Sequence, residues 1–343
     1  MVICYYTCSL VPPRFLARAG HTPRRLAPTI RATSSSDARG STPIPATSQP
    51  GAIITHPSTC PYVVALLAAG ERAFDGDSER DGDSPDCVVV PAGCDAMRRL
   101  GDSLAARYPD RVFTIFVPRT PDPASAHSLA RDLGRLEEWL AARAAQRPSV
   151  AESRAGEGEI AGPTATGVSP SDTFAYPSPP RPGGAFVVAG PLSDDGLLRF
   201  IDGLGLHISG VESCSGPERE RALAGIGTSG MDLLELATAI LEEVSCPRSS
   251  APARRDYLAR RLGDSGAVAA IYARLPFCDP SAYDALAVER LTAERGLPYL
   301  EVEVGFPFEV TGPLRVRIEA FLETLLLDVE LSELDDLDDL VGV

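Results

Sequence analysis

Three of the eight cysteines share one local context. Cys60 sits in Ser58-Thr59-Cys60-Pro61-Tyr62, Cys94 in Pro91-Ala92-Gly93-Cys94-Asp95-Ala96-Met97, and Cys278 in Pro276-Phe277-Cys278-Asp279-Pro280. Each follows a short apolar or β-branched run and opens a helix-like stretch. A helix N-terminus favours the thiolate, through the helix dipole and the N–H groups left without intrahelical acceptors. In a parallel sheet every strand C-terminus faces one edge, where ligands bind. The three thiols are therefore expected to converge on one cleft, and thiolates are the ligands that iron–sulfur clusters take. Their spacings, 34 and 184 residues, require both halves of the chain to contribute. The plainer reading of any of them is a small buried hydrophobe. That reading is adopted for Cys87, inside a strand, and for Cys246. Cys214 is left open between core and cleft.

The elements that must position these residues alternate along the chain. Strands are expected at 2–6, 52–54, 87–91 and 112–117, with helices at 12–19, 61–69, 95–108 and 122–146. The rhythm breaks at 147–184, where Pro, Gly, Ser and Thr dominate and apolar periodicity is lost, and this stretch reads as a linker. It resumes with strands at 185–189, 206–212, 268–273 and 299–302, and helices at 194–203, 231–243, 252–262, 281–295 and 312–327. A βαβ rhythm implies parallel sheets. The expected organisation is an N-terminal α/β domain over 1–146, the linker, a C-terminal α/β domain over 185–327, and an acidic tail over 328–343. Leu331, Leu334, Leu337 and Leu340 punctuate that tail, which reads as frayed.

Composition excludes several classes. The net charge of −15 argues against neutralising nucleic-acid phosphates, and no apolar run is long enough to span a bilayer. All 32 basic residues are arginine, which removes the P-loop lysine and every Schiff-base lysine. Gly225-Ile226-Gly227-Thr228-Ser229-Gly230 matches a dinucleotide fingerprint but follows no strand, so it carries little. His21, His56, His127 and His207 are not paired at ligand spacing, and a His-rich metal site is not expected. The first residues lack the order of a signal peptide, and the scattered cysteines do not read as a disulfide framework. A reducing, cytoplasmic setting is expected.

Longer motifs resemble those of the 2-hydroxyacyl-CoA dehydratase family, which includes the benzoyl-CoA reductase subunits. Phe277-Cys278-Asp279-Pro280 resembles its K-F-C-D-P element. Gly312-Pro313-Leu314-Arg315-Val316-Arg317-Ile318-Glu319-Ala320-Phe321-Leu322-Glu323 is similar to its G-Q-L-R-T-R-I-E-A-F-L-E. Cys94-Asp95-Ala96-Met97-Arg98 matches C-D-x-M-R, and Thr59-Cys60-Pro61-Tyr62 resembles the first cysteine element. Cys246-Pro247-Arg248, with Arg255, Tyr257 and Leu258, is similar to the segment preceding the third cysteine. Residues 5–28 resemble the family's opening strand and helix.

The resemblance implies two flavodoxin-like parallel-sheet domains and one 4Fe-4S cluster held by Cys60, Cys94 and Cys278. It implies a lyase subunit that eliminates water from a 2-hydroxyacyl-CoA through a ketyl radical anion, started by one low-potential electron. Implied partners are a paralogous subunit or a second copy, an ATP-dependent iron–sulfur activator and the acyl-CoA substrate, with no nucleic acid and no membrane. The alternatives are an acyl-CoA reductase subunit of the benzoyl-CoA type and a non-catalytic electron-relay partner. Two departures bear on the substrate pocket. The family's P-E-E-L in the first helix is here Pro12-Pro13-Arg14-Phe15, and its C-T-G-S-R is here Cys214-Ser215-Gly216-Pro217-Glu218-Arg219.

Overall fold

The structure is a computed structural model that describes residues 2–28, 58–76, 85–146, 180–214, 219, 226–227, 230–243 and 245–341, with side chains through 327. The chain forms two compact units, residues 1–172 with 214–254, and residues 173–213 with 255–343. Residues 214–254, within the sequence range read as the second domain, thus pack with the first unit.

In the first unit the order is β1 (Val2–Tyr6), α1 (Pro13–Arg18), β2 (His21–Arg25), α2 (Pro61–Asp75), β3 (Cys87–Pro91), α3 (Asp95–Arg107), β4 (Val112–Ile115), α4 (Pro123–Gln146) and, after the excursion through the second unit, α6 (Leu233–Glu243). The sheet runs β2-β1-β3-β4, with every neighbouring pair parallel. β3 is buried at all five positions, as a parallel strand covered on both faces requires. One face packs Cys4, Tyr6, Cys87 and Val89 against Leu129, Leu133, Leu136 and Leu140 of α4 and Leu236, Ala237 and Ile240 of α6. Full burial of each such leucine contributes about 1.5–3 kcal/mol.

The second unit repeats the pattern. Its order is β5 (Ala185–Ala189), α5 (Gly196–Gly203), β6 (Ile208–Ser213), α7 (Ala251–Ser265), β7 (Ala269–Arg274), α8 (Asp279–Ala293), β8 (Tyr299–Glu303) and α9 (Gly312–Val341). The sheet order is β6-β5-β7-β8, again all parallel. Both sheets therefore have flavodoxin-like winding, with the order reversing between the first and third strands. Phe186, Val188, Leu258, Leu262, Tyr272, Ala285, Val288 and Leu291 form its core.

Two elements differ from expectation. β2 was not anticipated, because His21-Thr22-Pro23-Arg24-Arg25 is polar and contains proline. It is an edge strand, the place in a sheet where proline is tolerated. α9 continues to Val341, so residues 328–341 of the stretch read as a frayed tail are helical backbone. The expected strand at 52–54 and nearly all of the expected linker, 147–179, lie outside the described residues. No helix among the described residues is long and apolar enough to cross a membrane.

Candidate metal centre

Each of the three cysteines caps the helix that its sequence context suggested. Cys60 is the N-cap of α2, with Pro61 at the first helical position, where a missing N–H costs nothing. Val63 N–H and Val64 N–H donate to Cys60 O at 3.0 and 3.2 Å. Tyr62 Oη donates to Thr7 O at 3.3 Å, which ties the first turn of α2 to the residue just past β1. Burial pushes the Tyr62 phenol up to about 12.

Cys94 is the N-cap of α3 and lies three residues past β3. Arg98 N–H donates to its carbonyl at 2.9 Å. Cys278 is the N-cap of α8 in the second unit. Ala282 N–H donates to Cys278 O at 3.0 Å. Phe277, immediately before it, has φ 58, a left-handed conformation that a bulky residue adopts at a cost, while its side chain is 53% exposed. Cys94 and Cys278 thus hold the same topological position in their own units, after the third strand and beside the point where strand order reverses. None of the described cysteines is in a disulfide.

Within the first unit, Cys60 and Cys94 come together with Cys246, which the sequence context assigns to the core, and with Cys8. Burial pushes the Cys94 thiol up to about 11, the Met97 N–H opposes the rise, and the nearby sulfurs of Cys60, Cys246 and Cys8 add to it. Cys246 is held well below the usual thiol range by a hydrogen bond from Cys214, with Arg219 and Arg248 lowering it further against the opposing effect of burial. Burial raises Cys8, and Cys246 adds to that rise. Cys246 is half-buried rather than fully in the core, and Cys214 faces it. The missed signal was Cys246-Pro247-Arg248 itself, a thiol two residues from an arginine in a turn.

That turn is fixed from both sides. Arg119 Nε donates to Arg248 O at 2.7 Å, and Ser250 N–H donates to Arg119 O at 2.8 Å. Arg248 Nη2 donates to Pro118 O at 3.3 Å, while its buried Nε has no hydrogen-bond partner. Arg219 Nη2 donates to Ser245 O at 2.7 Å. Thr7 Oγ1 and Ser9 Oγ, flanking Cys8, are also buried without partners. Buried polar atoms are normally satisfied by protein groups or ordered water, so these three atoms are open to a further partner. A donor set of thiols beside arginines suits an anionic, thiolate-ligated group, and an iron–sulfur cluster on cysteines fits it.

Arg14, which stands where the family has an acid, is exposed on α1, and the first turn of that helix carries no acid.

No curated protein matches the chain. Residues 185–325 match the family model described as 2-hydroxyglutaryl-CoA dehydratase, D-component, which bears out the resemblance over the stretch that contains Phe277-Cys278-Asp279-Pro280 and the motif at 312–323.

Proposed function

We propose that the chain is the iron–sulfur subunit of a 2-hydroxyacyl-CoA dehydratase-type lyase, with Cys60, Cys94 and Cys278 holding one 4Fe-4S cluster. The observation that carries this reading is the family match together with three cysteines at helix N-caps, two of them among further thiols and buried arginines. Held on these three thiolates, a cluster would supply a low-potential electron and Lewis-acid chemistry at iron.

The chain's own residues do the rest. The N–H groups opening α2, α3 and α8 stabilise thiolate charge at the three N-caps. Arg219 and Arg248 stabilise the neighbouring Cys246 thiolate against the opposing effect of burial. The unpartnered Arg248 Nε is a donor for an anionic oxygen, such as a thioester oxygen that gains charge. An arginine stays protonated, so exposed Arg14 cannot act as a general base. The absence of an acid in the first turn of α1 favours proton transfer by a paralogous partner subunit or by substrate. The electron arrives from a separate ATP-hydrolysing activator, since the chain has no lysine for a phosphate loop. The same absence of an acid supports the relay reading, in which this subunit passes electrons and its partner does the chemistry.

The test is an anaerobic assay of the purified chain with activator, ATP and a panel of 2-hydroxyacyl-CoA thioesters, with and without a paralogous subunit. The expected result is water elimination only with both subunits, abolished by Cys94→Ala. Reduction of aryl-CoA without elimination would move the assignment to the reductase class. Turnover by the chain alone would refute the need for a partner.

A further inference from the structure

On one face of the first sheet, away from the cleft thiols, Cys4 of β1, His21 of β2 and Cys87 of β3 place their ligand atoms within 4.8 Å of one another, all three buried. The geometry points to a second metal site, which takes a single thiophilic divalent cation, zinc(II).

The register explains how three strands converge. Cys4 pairs with Cys87 across β1 and β3, so the two thiols share a face. His21 pairs with Val2, and Pro23 pairs with Cys4. His21 is two residues from Pro23 and shares that face. The chain separations are 17 and 66 residues, which no ligand-spacing motif would reveal. Two thiolates and an imidazole nitrogen on one zinc sit about 3.5–4 Å apart, given bonds near 2.3 and 2.0 Å. The observed cluster needs only small movements to close on an ion.

A second observation fixes the histidine for this role. His21 Nε2 lies 3.0 Å from Leu140 O. A carbonyl oxygen only accepts, so Nε2 carries the hydrogen and Nδ1 presents its lone pair. That Nδ1 is buried and has no hydrogen-bond partner, in a residue only 4% exposed. A ring N–H tied to a backbone carbonyl, with the other nitrogen unoccupied, is how ligating histidines are held. Charge selects the ion: two thiolates, a neutral imidazole and a divalent cation sum to zero, which a buried site tolerates best. Sulfur and imidazole ligands suit zinc.

The test uses the full chain as a Cys8→Ser/Cys60→Ser/Cys94→Ser/Cys246→Ser variant, which leaves a single cysteine, Cys214, among the thiols of the first unit's cleft, and titrates it with zinc(II) alone. The expected result is one zinc per chain after gel filtration. Its X-ray absorption edge should fit about two sulfurs and one nitrogen. His21→Gln should lower the affinity at least tenfold, as should Cys87→Ser. If Cys87→Ser fails to fold, the His21→Gln titration and the absorption fit decide alone. No bound zinc, a sulfur-only shell, or zinc retained undiminished in His21→Gln would overturn the proposal. The iron content of the wild-type chain reads the cleft separately, so failure here leaves the proposed function untouched.

Discussion

The guanidinium of Arg248 packs directly over Gly93, the residue before Cys94: a Cβ at position 93 would stand 3.2 Å from Arg248 Nε and 3.5 Å from its Cδ. The turn that carries Cys246 is thereby seated against the loop that carries Cys94. Gly93→Ala is expected to push the arginine outward by a few tenths of an ångström, against its bond to Pro118 O. The cost should be about 1–2 kcal/mol, measured by urea unfolding, with reduced iron retention in the same preparation.

A second close approach positions the helix that Cys94 caps. A Cβ on Gly101 of α3 would lie 2.5 Å from Thr114 Oγ1 of β4. Gly101→Ala should therefore shift α3 off the sheet and cost about 1–3 kcal/mol, despite alanine's better helix propensity. A stabilised Gly101→Ala protein would contradict this packing.

Phe277 offers the opposite sign. Its φ of 58 is comfortable for glycine, and its ring is more than half exposed, so little burial is lost on truncation. Phe277→Gly is expected to leave stability unchanged or raise it by up to about 1 kcal/mol. If iron loading or turnover falls while stability holds, the strain serves the site rather than the fold.

In the second unit, Tyr272 Oη of β7 meets Ser281 Oγ at 3.1 Å and donates to Asp284 Oδ2 at 3.2 Å. Both partners lie on α8, and all three side chains are buried. Tyr272→Phe should cost about 1–3 kcal/mol, since buried acceptors lose a donor. Thermal unfolding of the variant checks this.

Much of this architecture was legible because parallel strands buried on both faces read as unbroken apolar runs. β1, β3 and β5 have the bounds expected from Val2–Tyr6, Cys87–Pro91 and Ala185–Ala189. The N-cap placement of Cys60, Cys94 and Cys278 followed from a strand ending, a cysteine and a proline or aspartate opening a helix. What escaped was what only folding brings together. β2 is too polar to read as a strand, so His21 was never placed beside Cys4 and Cys87. Cys246 and Arg248 reach Cys94 across about 150 residues, because residues 214–254 return to the first unit.

The central claim rests on one cluster held by three cysteines. Anaerobic reconstitution with iron and sulfide, followed by iron and sulfide quantitation and Mössbauer spectroscopy, tests it most directly. The account expects about four irons and four sulfides per chain, with one iron distinct from the others. Separate Cys60→Ser, Cys94→Ser and Cys278→Ser variants should each lose most of that iron, whereas Cys87→Ser should keep it. A wild-type chain that retains no iron and sulfide, or a cluster indifferent to all three substitutions, would contradict the account.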